Sequence, residues 1–428
     1  MDTGTSSKAA LKTNTLEDKL RSIVGEEHLR RANTADRFAG MQPALVVEPG
    51  NEKELAAVLQ CSNEMGVAVI PRGGGTKMIW GNPPSRADVI LSTARLNQII
   101  EHAWADLTVT VEAGCTLRKL QDSLAQHGQR LALDALWPEQ STIGGVLSTN
   151  DSGALRLRFG ALRDLVIGVT VALPSGTLAS SGGKVVKNVA GYDLPKLLTG
   201  AYGTLGVITR AVFRLHPLPR NTRSLSFQTR NLEEAQRLIL CVQDSKLAHT
   251  ALQARFGAGT TPEADILFEG TEAGLAAQES QLRAFVHPTS IKEAPVAVWD
   301  SRQCLWNASE LSVIAKISVL PGDIAKAIQA VENPAGQRHI SWKAVVQATG
   351  IGWLRLDGPP EVLQAALTEL RASFESRGGS LVVLNRPANM EHLDTWGNAG
   401  DALPLMRAVK EQLDPKGTLN PGRFVGGI

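Results

Sequence analysis

At 428 residues, 43% hydrophobic and 20% charged, the chain has the make-up of a folded protein of two or three domains; a disordered chain would be poorer in aliphatics and richer in net charge. Its formal net charge of +2 and lack of a dense basic run leave no footprint for nucleic acid or an anionic membrane surface. The polar start MDTGTSSKAALKTNT is no secretory signal and LVIGVTVAL (Leu165 to Leu173) falls far short of the roughly 20 residues of a membrane span, so a cytoplasmic chain is expected, with any membrane association made through partners and no direct insertion.

In chain order, residues 1–40 are expected to form an N-terminal helical extension. ALVV (Ala44 to Val47) then precedes a helix opened by Asn51 as N-cap, with Leu55, Val58, Leu59 and Ser62 on one face and Gly66 at its end. VAVI (Val67 to Ile70) and DVIL (Asp88 to Leu91) read as buried strands on either side of a glycine loop. TVTVEAG (Thr108 to Gly114) reads as a strand before a helix capped by Thr116 and stopped by Gly128. LVIGVTVALPSG (Leu165 to Gly176) and VITRAVFRL (Val207 to Leu215) are further strands. This is a mixed α+β domain over residues 41–217. After HPLPRNTR (His216 to Arg223) the glycine loops cease; strand-like SLSFQ and a helix around Asn231 to Val242 open a second α+β domain, 218–400. The tail 401–428, with the turn-forming LDPKGTLNPGRF, is expected to return to the first domain, and no internal repeat is visible.

Three segments carry the chemistry. PRGGGTKMIWG (Pro71 to Gly81) follows a strand, and three successive glycines suit either a plain tight loop or a nest of positive φ angles with several N–H groups converging on one anion such as a diphosphate. It is neither a GxGxxG opening a helix, since Met78 and Pro83-Pro84 intervene, nor a Walker loop, so the grip is expected from loop backbone and not from a helix terminus. WPEQSTIGGVLSTNDSG (Trp137 to Gly153) clusters small and hydroxylated residues, which suits either close approach to a flat or phosphorylated ligand or an ordinary glycine turn. GKVVKNVAGYDLPKLLTGAYGTLGVITRAVF (Gly183 to Phe213) again brings glycines, at 200, 203 and 206, to the start of a strand.

In this order and spacing the three segments resemble the FAD-binding domain of the vanillyl-alcohol oxidase and para-cresol methylhydroxylase superfamily; KNVAGYDLPKLLTGAYGTLGVIT is most similar to the FAD-binding subunits of bacterial glycolate oxidase. The resemblance implies a two-subdomain FAD-binding domain with a second cap domain, oxidation of a 2-hydroxy acid, a second FAD subunit and an iron–sulfur subunit as partners. It also implies that Arg72, Gly73, Gly74, Gly75, Thr76 and Lys77 wrap the diphosphate and that Pro138, Ser141, Thr142, Gly144, Gly145 and Asn150 lie along the flavin. Gly153, Gly160 and Asp164 would continue that wall, and Gly203, Gly206, Val207 and Ile208 would approach the ribityl or adenine part. Family members with covalent flavin carry His where this chain has Gly75 and Cys near Gln140, so noncovalent FAD is implied.

Departures bear on function too. The HGDGN segment that related metal-dependent 2-hydroxy-acid dehydrogenases carry is absent, and Tyr202 stands where they often have an acidic residue. Histidines 216, 249, 287, 339 and 392 show no metal-ligand spacing, so no metal is expected. Cys61, Cys115, Cys241 and Cys304 form no CxxC pair and are expected to be reduced and mostly buried. Arg386 could meet a substrate carboxylate bidentately, against the plainer reading of a salt bridge. Lys184 and Lys187 could lie near FAD phosphates or on a solvated face, and Trp299, Trp306, Trp342, Trp353 and Trp396 suit core or subunit interface. No residue identifies itself as the catalytic base. Rival readings are a flavin-bearing relay or assembly subunit, a stand-alone D-lactate-type dehydrogenase, and an enolpyruvyl reductase fed by nicotinamide.

Overall fold

The computed structural model describes residues 15–184, 191–285, 290–390 and 393–428. It divides into two compact units, one of residues 1–151, 162–216 and 399–428, the other of 152–161 and 217–398.

The first unit opens with a helix, α1, over residues 15–24, then β1 (Leu29–Arg31) and β2 (Leu45–Val47). Helix α2 (Glu52–Glu64) begins where Asn51 accepts hydrogen bonds from the Lys53 and Glu54 amides at 3.1 and 3.0 Å, and Gly66 at φ 65° turns the chain into β3 (Val69–Arg72). With β4 (Val89–Ser92) these strands form a sheet ordered β1-β2-β4-β3, in which β2 and β3 both run parallel to β4. Every residue of β2 and β4 is buried, as expected of parallel strands covered on both faces. Leu16, Leu20 and Val24 of α1 and Leu55, Val58 and Leu59 of α2 cover one face, and Phe38 and Ala87 pack with Val46, Ile70 and Ile90 on the other.

A second sheet of the same unit is antiparallel, ordered β5-β6-β10-β8-β9. β5 (Ile99–Ala103) and β6 (Thr108–Glu112) lead to α3 (Leu117–Ala125), whose first turn is capped by the Thr116 hydroxyl accepting from Lys119 N at 3.2 Å, and to the two-residue β7 (Gln129–Arg130). Helix α4 (Ile143–Thr149) follows; α5 (Arg156–Phe159) belongs to the second unit, and α6 (Leu162–Leu165) to the first again. β8 (Val166–Ala172), β9 (Leu178–Gly182), α7 (Leu194–Leu198), β10 (Val207–Arg214) and the two-residue β11 (His216–Pro217) close this stretch.

The second unit holds one eight-stranded antiparallel sheet. Its elements are β12 (Asn221–Gln228), α8 (Leu232–Asp244), β13 (His249–Gly257), β14 (Glu263–Gly270), α9 (Glu272–Phe285) and β15 (Ser290–Glu293), then the short α10 (Ser301–Cys304). After these come β16 (Ser312–Ser318), α11 (Ile324–Gln337), β17 (Ser341–Gln347), β18 (Ile351–Asp357), α12 (Pro360–Glu375) and β19 (Ser380–Asn385). The strand order β15-β12-β14-β13-β17-β18-β16-β19 is therefore a βαββαβ motif followed by a second one, joined edge to edge where Gln253 of β13 faces Gln347 of β17. This corrects the expectation of no internal repeat: the repeat lies in topology. Alternate strand residues, among them Phe227, Leu252, Ile266, Ile317, Val346 and Leu354, pack on one face against α8, α9, α11 and α12. On the opposite face the buried Asp265 carboxylate accepts from Ser226 Oγ at 2.6 Å, from Gln253 Nε2 at 3.1 Å and from Arg255 at 2.8 and 3.0 Å.

The last residues return to the first unit with α13 (Leu403–Leu413). Beyond it, Val69 N donates to Thr418 O at 2.7 Å and Asn420 N to Val69 O at 3.1 Å, so the tail runs beside β3. No helix among the described residues is long and apolar enough to cross a membrane. All four cysteines are free; Cys115 is buried and Cys61 half-buried, but Cys241 and Cys304 are exposed, which corrects the expectation of mostly buried thiols.

Candidate functional site

A cleft of about 710 Å³ opens in the first unit between the loop after β3, helix α4, the start of β10 and the C-terminal tail. Its floor is the glycine loop, Pro71 to Met78.

The glycines do not serve as the sequence suggests. Only Gly75 takes a positive φ, at 76°; Gly73 and Gly74 are needed for room. A Cβ on Gly73 would lie 2.0 Å from Thr142 Oγ1, and one on Gly74 would lie 1.8 Å from the Gln140 carbonyl oxygen. The loop is thus pressed against residues 140–142, Gly74 on the Gln140 main chain and Gly73 on the Thr142 side chain. A Cβ on Gly75 would meet only Arg72 Cδ, at 3.9 Å.

Each end of the loop is fixed by charge. Arg72 NH1 donates to Asp36 Oδ1 at 2.8 Å, and the same carboxylate accepts from Arg30 at 2.6 and 2.9 Å and from Asn33 N at 2.9 Å. The Arg30 guanidinium, despite the burial of the carboxyl, holds Asp36 well below the usual carboxylate range. At the other end the buried Lys77 ammonium donates to Ser141 Oγ at 2.7 Å and pairs with Asp151 at 3.2 Å. It lies 5.6 and 5.5 Å from the ring centres of Trp80 and Trp137. Ser141 Oγ in turn donates to Leu136 O at 2.6 Å, and Asp151 accepts from Leu136 N at 2.9 Å. The segment 136–151 is thereby tied to the glycine loop through one buried cation.

Tyr202 N donates to Ser148 O at 2.9 Å, bringing the 200–208 loop against α4. Asn420 Nδ2 donates to Tyr202 O at 2.7 Å. Arg423, 4% exposed, donates to Lys77 O at 3.2 Å, Met78 O at 2.6 Å and Trp80 O at 3.2 Å. Burial pulls its guanidinium down to about 10, and the Tyr202 phenol opposes that shift.

Residues 43–182 match the family described as FAD binding domain, and 395–424 the family described as FAD linked oxidases, C-terminal domain. The chain is 26% identical to a protein of Bacillus subtilis (strain 168) named glycolate oxidase subunit GlcD, over 96% of this chain and 97% of that one. It is 27% identical to the D-2-hydroxyglutarate dehydrogenase of Xanthomonas citri pv. viticola over 89% of each chain. To a D-lactate dehydrogenase of Archaeoglobus fulgidus it is 35% identical, over 46% of this chain and 44% of that one. Among solved structures, p-cresol methylhydroxylase with substrate bound superposes with a TM-score of 0.78 over 96% of both chains at 15% identity. The 4-ethylphenol oxidase from Gulosibacter chungangensis gives 0.73 over 97% of both at 14%. The chain is an FAD-linked oxidoreductase. Its α+β fold is that of the para-cresol methylhydroxylase type.

The cleft fits FAD on its own terms. Its floor is main chain kept bare of side chains at Gly73, Gly74 and Gly75, beside a wall that also includes Gly144, Gly145, Gly203 and Gly206. Arg72, Lys77 and Arg423 line it, held by Asp36, by Asp151 and by the loop carbonyls respectively. Of the residues singled out from sequence, Arg72, Gly73, Gly74, Gly75, Thr76, Lys77, Thr142, Gly144, Gly145, Gly203, Gly206, Val207 and Ile208 line the cleft together. Ser141 lies beneath it on the Lys77 ammonium, and Asn150, at φ 48°, caps the C-terminus of α4. Pro138 is half-buried, with its carbonyl accepting from Arg118 N at 2.9 Å. Asp164 is exposed on α6, and Gly153 and Gly160 fall in the second unit.

Segment 137–153 is not a plain turn: it contains the seven-residue α4, with the Thr142 hydroxyl accepting from Gly145 N at 3.4 Å. Lys184 pairs with Glu101 on the surface, while Lys187 lies outside the described residues. Trp342 and Trp353 are core, with the Arg302 guanidinium 4.7 Å from the Trp353 ring, and Trp299, Trp306 and Trp396 are half-buried. His339 is exposed, His216 and His249 are half-buried, and His287 and His392 lie outside the described residues. Arg386 is half-buried directly after β19. Thr93, Ala113, Ser148, Thr149, Asn420 and Arg423 also line the cleft, and none was singled out. For the last two a signal existed in the turn-rich NPGR tail, which reads as returning to this domain without saying to what.

Proposed function

We propose that the chain is the FAD-bearing subunit of a glycolate-type oxidase. In this reading it oxidises a 2-hydroxy acid to the 2-oxo acid and passes the electrons to an iron–sulfur partner, alongside a second FAD subunit in the cytoplasm. The observation that carries it is the similarity to a glycolate oxidase subunit along nearly the full length of both chains, joined to a cleft built for a dinucleotide. Bound FAD supplies a hydride acceptor. The chain's own residues bind and orient it: the bare backbone of Gly73 to Gly75 and the hydroxyl of Thr76 take the diphosphate, Arg72, braced by Asp36, adds charge, and Thr142, Gly144 and Gly145 lie along the flavin. Lys77, held between Ser141 and Asp151, fixes the loop that does this. Ser141, Asn150, Pro138, Asp164, Gly153 and Gly160 are proposed to complete the flavin side. Arg386 is the proposed carboxylate contact.

Gly75 stands where a His, and Gln140 near where a Cys, would carry a covalent flavin, so the FAD is held without a covalent bond. Acid precipitation of the purified protein is expected to leave all yellow colour in the supernatant; flavin retained in the pellet overturns this.

Anaerobic titration of the isolated chain with glycolate and with D-lactate tests the main proposal. Bleaching of the flavin by either acid without partners supports a self-sufficient site. The absence of an HGDGN segment favours a second reading, a flavin-bearing relay with substrate oxidised on a sibling chain. That reading predicts bleaching only in the assembled complex. Bleaching by reduced nicotinamide and by neither acid would replace both with a reductase.

A further inference from the structure

We infer that Arg423 is a positioning residue: from the C-terminal tail it sets the shape in which the glycine loop meets FAD. The inference rests on reading the cleft as the FAD site. A guanidinium presents five donors in a planar fork and can hold several carbonyls at once. Here that fork takes the Lys77, Met78 and Trp80 carbonyls, three of four successive residues at the exit of the loop. The main chain of the same residue takes part, its carbonyl accepting from Asn82 N at 3.0 Å.

The contacts continue across the cleft. Arg423 NH1 donates to Asn420 Oδ1 at 3.3 Å, and Asn420 Nδ2 to Tyr202 O at 2.7 Å. One chain of hydrogen bonds therefore runs from the glycine loop through two tail residues to the 200–208 loop, joining opposite walls of one site. Lys77 is pinned at both ends, its carbonyl by Arg423 and its ammonium by Ser141 and Asp151. The loop has little regular structure of its own, so its conformation follows whatever holds its carbonyls. A residue that merely filled the core would leave FAD affinity untouched once folding is allowed for.

The test uses the full chain stripped of flavin, with Arg423→Lys and Arg423→Met. FAD affinity is read from quenching of flavin fluorescence, and loop order from amide hydrogen exchange of residues 73–80. Leaving buried carbonyls unsatisfied is expected to weaken FAD binding by roughly tenfold to a hundredfold in both variants. Lysine should not rescue, because an ammonium retains the charge and loses the fork. Exchange at 73–80 should speed up in flavin-free Arg423→Lys while β2 and β4 stay protected, a readout that remains if Arg423→Met fails to fold. Parent affinity and parent exchange in Arg423→Lys would overturn the inference. Gly74→Ala separates the two levels: if it loses FAD while Arg423→Lys keeps it, only the role of Arg423 falls. If both keep it, the cleft is not the FAD site.

Discussion

Gly74→Ala is expected to give a folded protein that purifies almost colourless. The added methyl would lie 1.8 Å from the Gln140 carbonyl oxygen and 2.8 Å from its carbon, both main-chain atoms. No rotamer change relieves such an overlap, so either the glycine loop or the 140–142 segment must move. Overpacking of this kind costs about 1–3 kcal/mol, roughly tenfold to a hundredfold in affinity when the displaced backbone is the binding surface itself. The movement would also strain the Lys77 contacts with Ser141 and Asp151, which join the same two segments. Gly128→Ala is the matched control. It sits at φ +65° with nothing within 4 Å of a Cβ, so it carries backbone strain without touching the cleft. Flavin content after purification and FAD affinity of the stripped protein distinguish them; Gly74→Ala protein with full flavin content would show that the loop does not carry the cofactor.

What the sequence could show follows the range of the interaction concerned. Asn51 and Thr116 are legible as caps because the amides they accept from are two or three residues away. The glycine loop is legible because three glycines after a buried strand leave few alternatives, although the reason for two of them is a neighbour some 70 positions on and not a dihedral angle. The helix α4 is hidden because its Gly144 and Gly145 are poor helix formers, held in place by the Thr142 cap and by the bond from Gly144 N to Ala113 O at 2.8 Å. The repeated βαββαβ motif is hidden because each half needs only matching hydrophobic periodicity, which many unrelated side chains supply. Arg423 is hidden most deeply. Its partners at Lys77 and Met78 lie 346 and 345 residues earlier, and no local pattern encodes a bond of that span.

That span makes the clamp on the tail the second point where a single change should have a large effect. Asp414, fully buried, accepts from Thr418 N at 2.9 Å and Leu419 N at 2.8 Å and pairs with Lys410 Nζ at 2.6 Å. The Lys410 ammonium also donates to Thr204 O at 2.8 Å and Leu419 O at 3.0 Å, and burial pushes it below the usual lysine range against the pull of Asp414. Asp414→Asn keeps the shape and removes the charge, stranding a buried cation. Breaking one side of a buried pair costs about 3–5 kcal/mol. For a unit of this size, at about 2–4 °C per kcal/mol, the melting temperature should fall by roughly 10 °C. Adding Lys410→Met should recover part of that fall, because removing both charges ends the desolvation penalty that one charge alone must bear. A purely local role for Asp414 predicts the reverse, with the two losses simply adding. Thermal melts of the parent, the two single variants and the double variant decide between these outcomes. FAD affinity of Asp414→Asn should fall as well, since the strand of tail it anchors, Thr418 to Asn420, is what carries Arg423 to the loop.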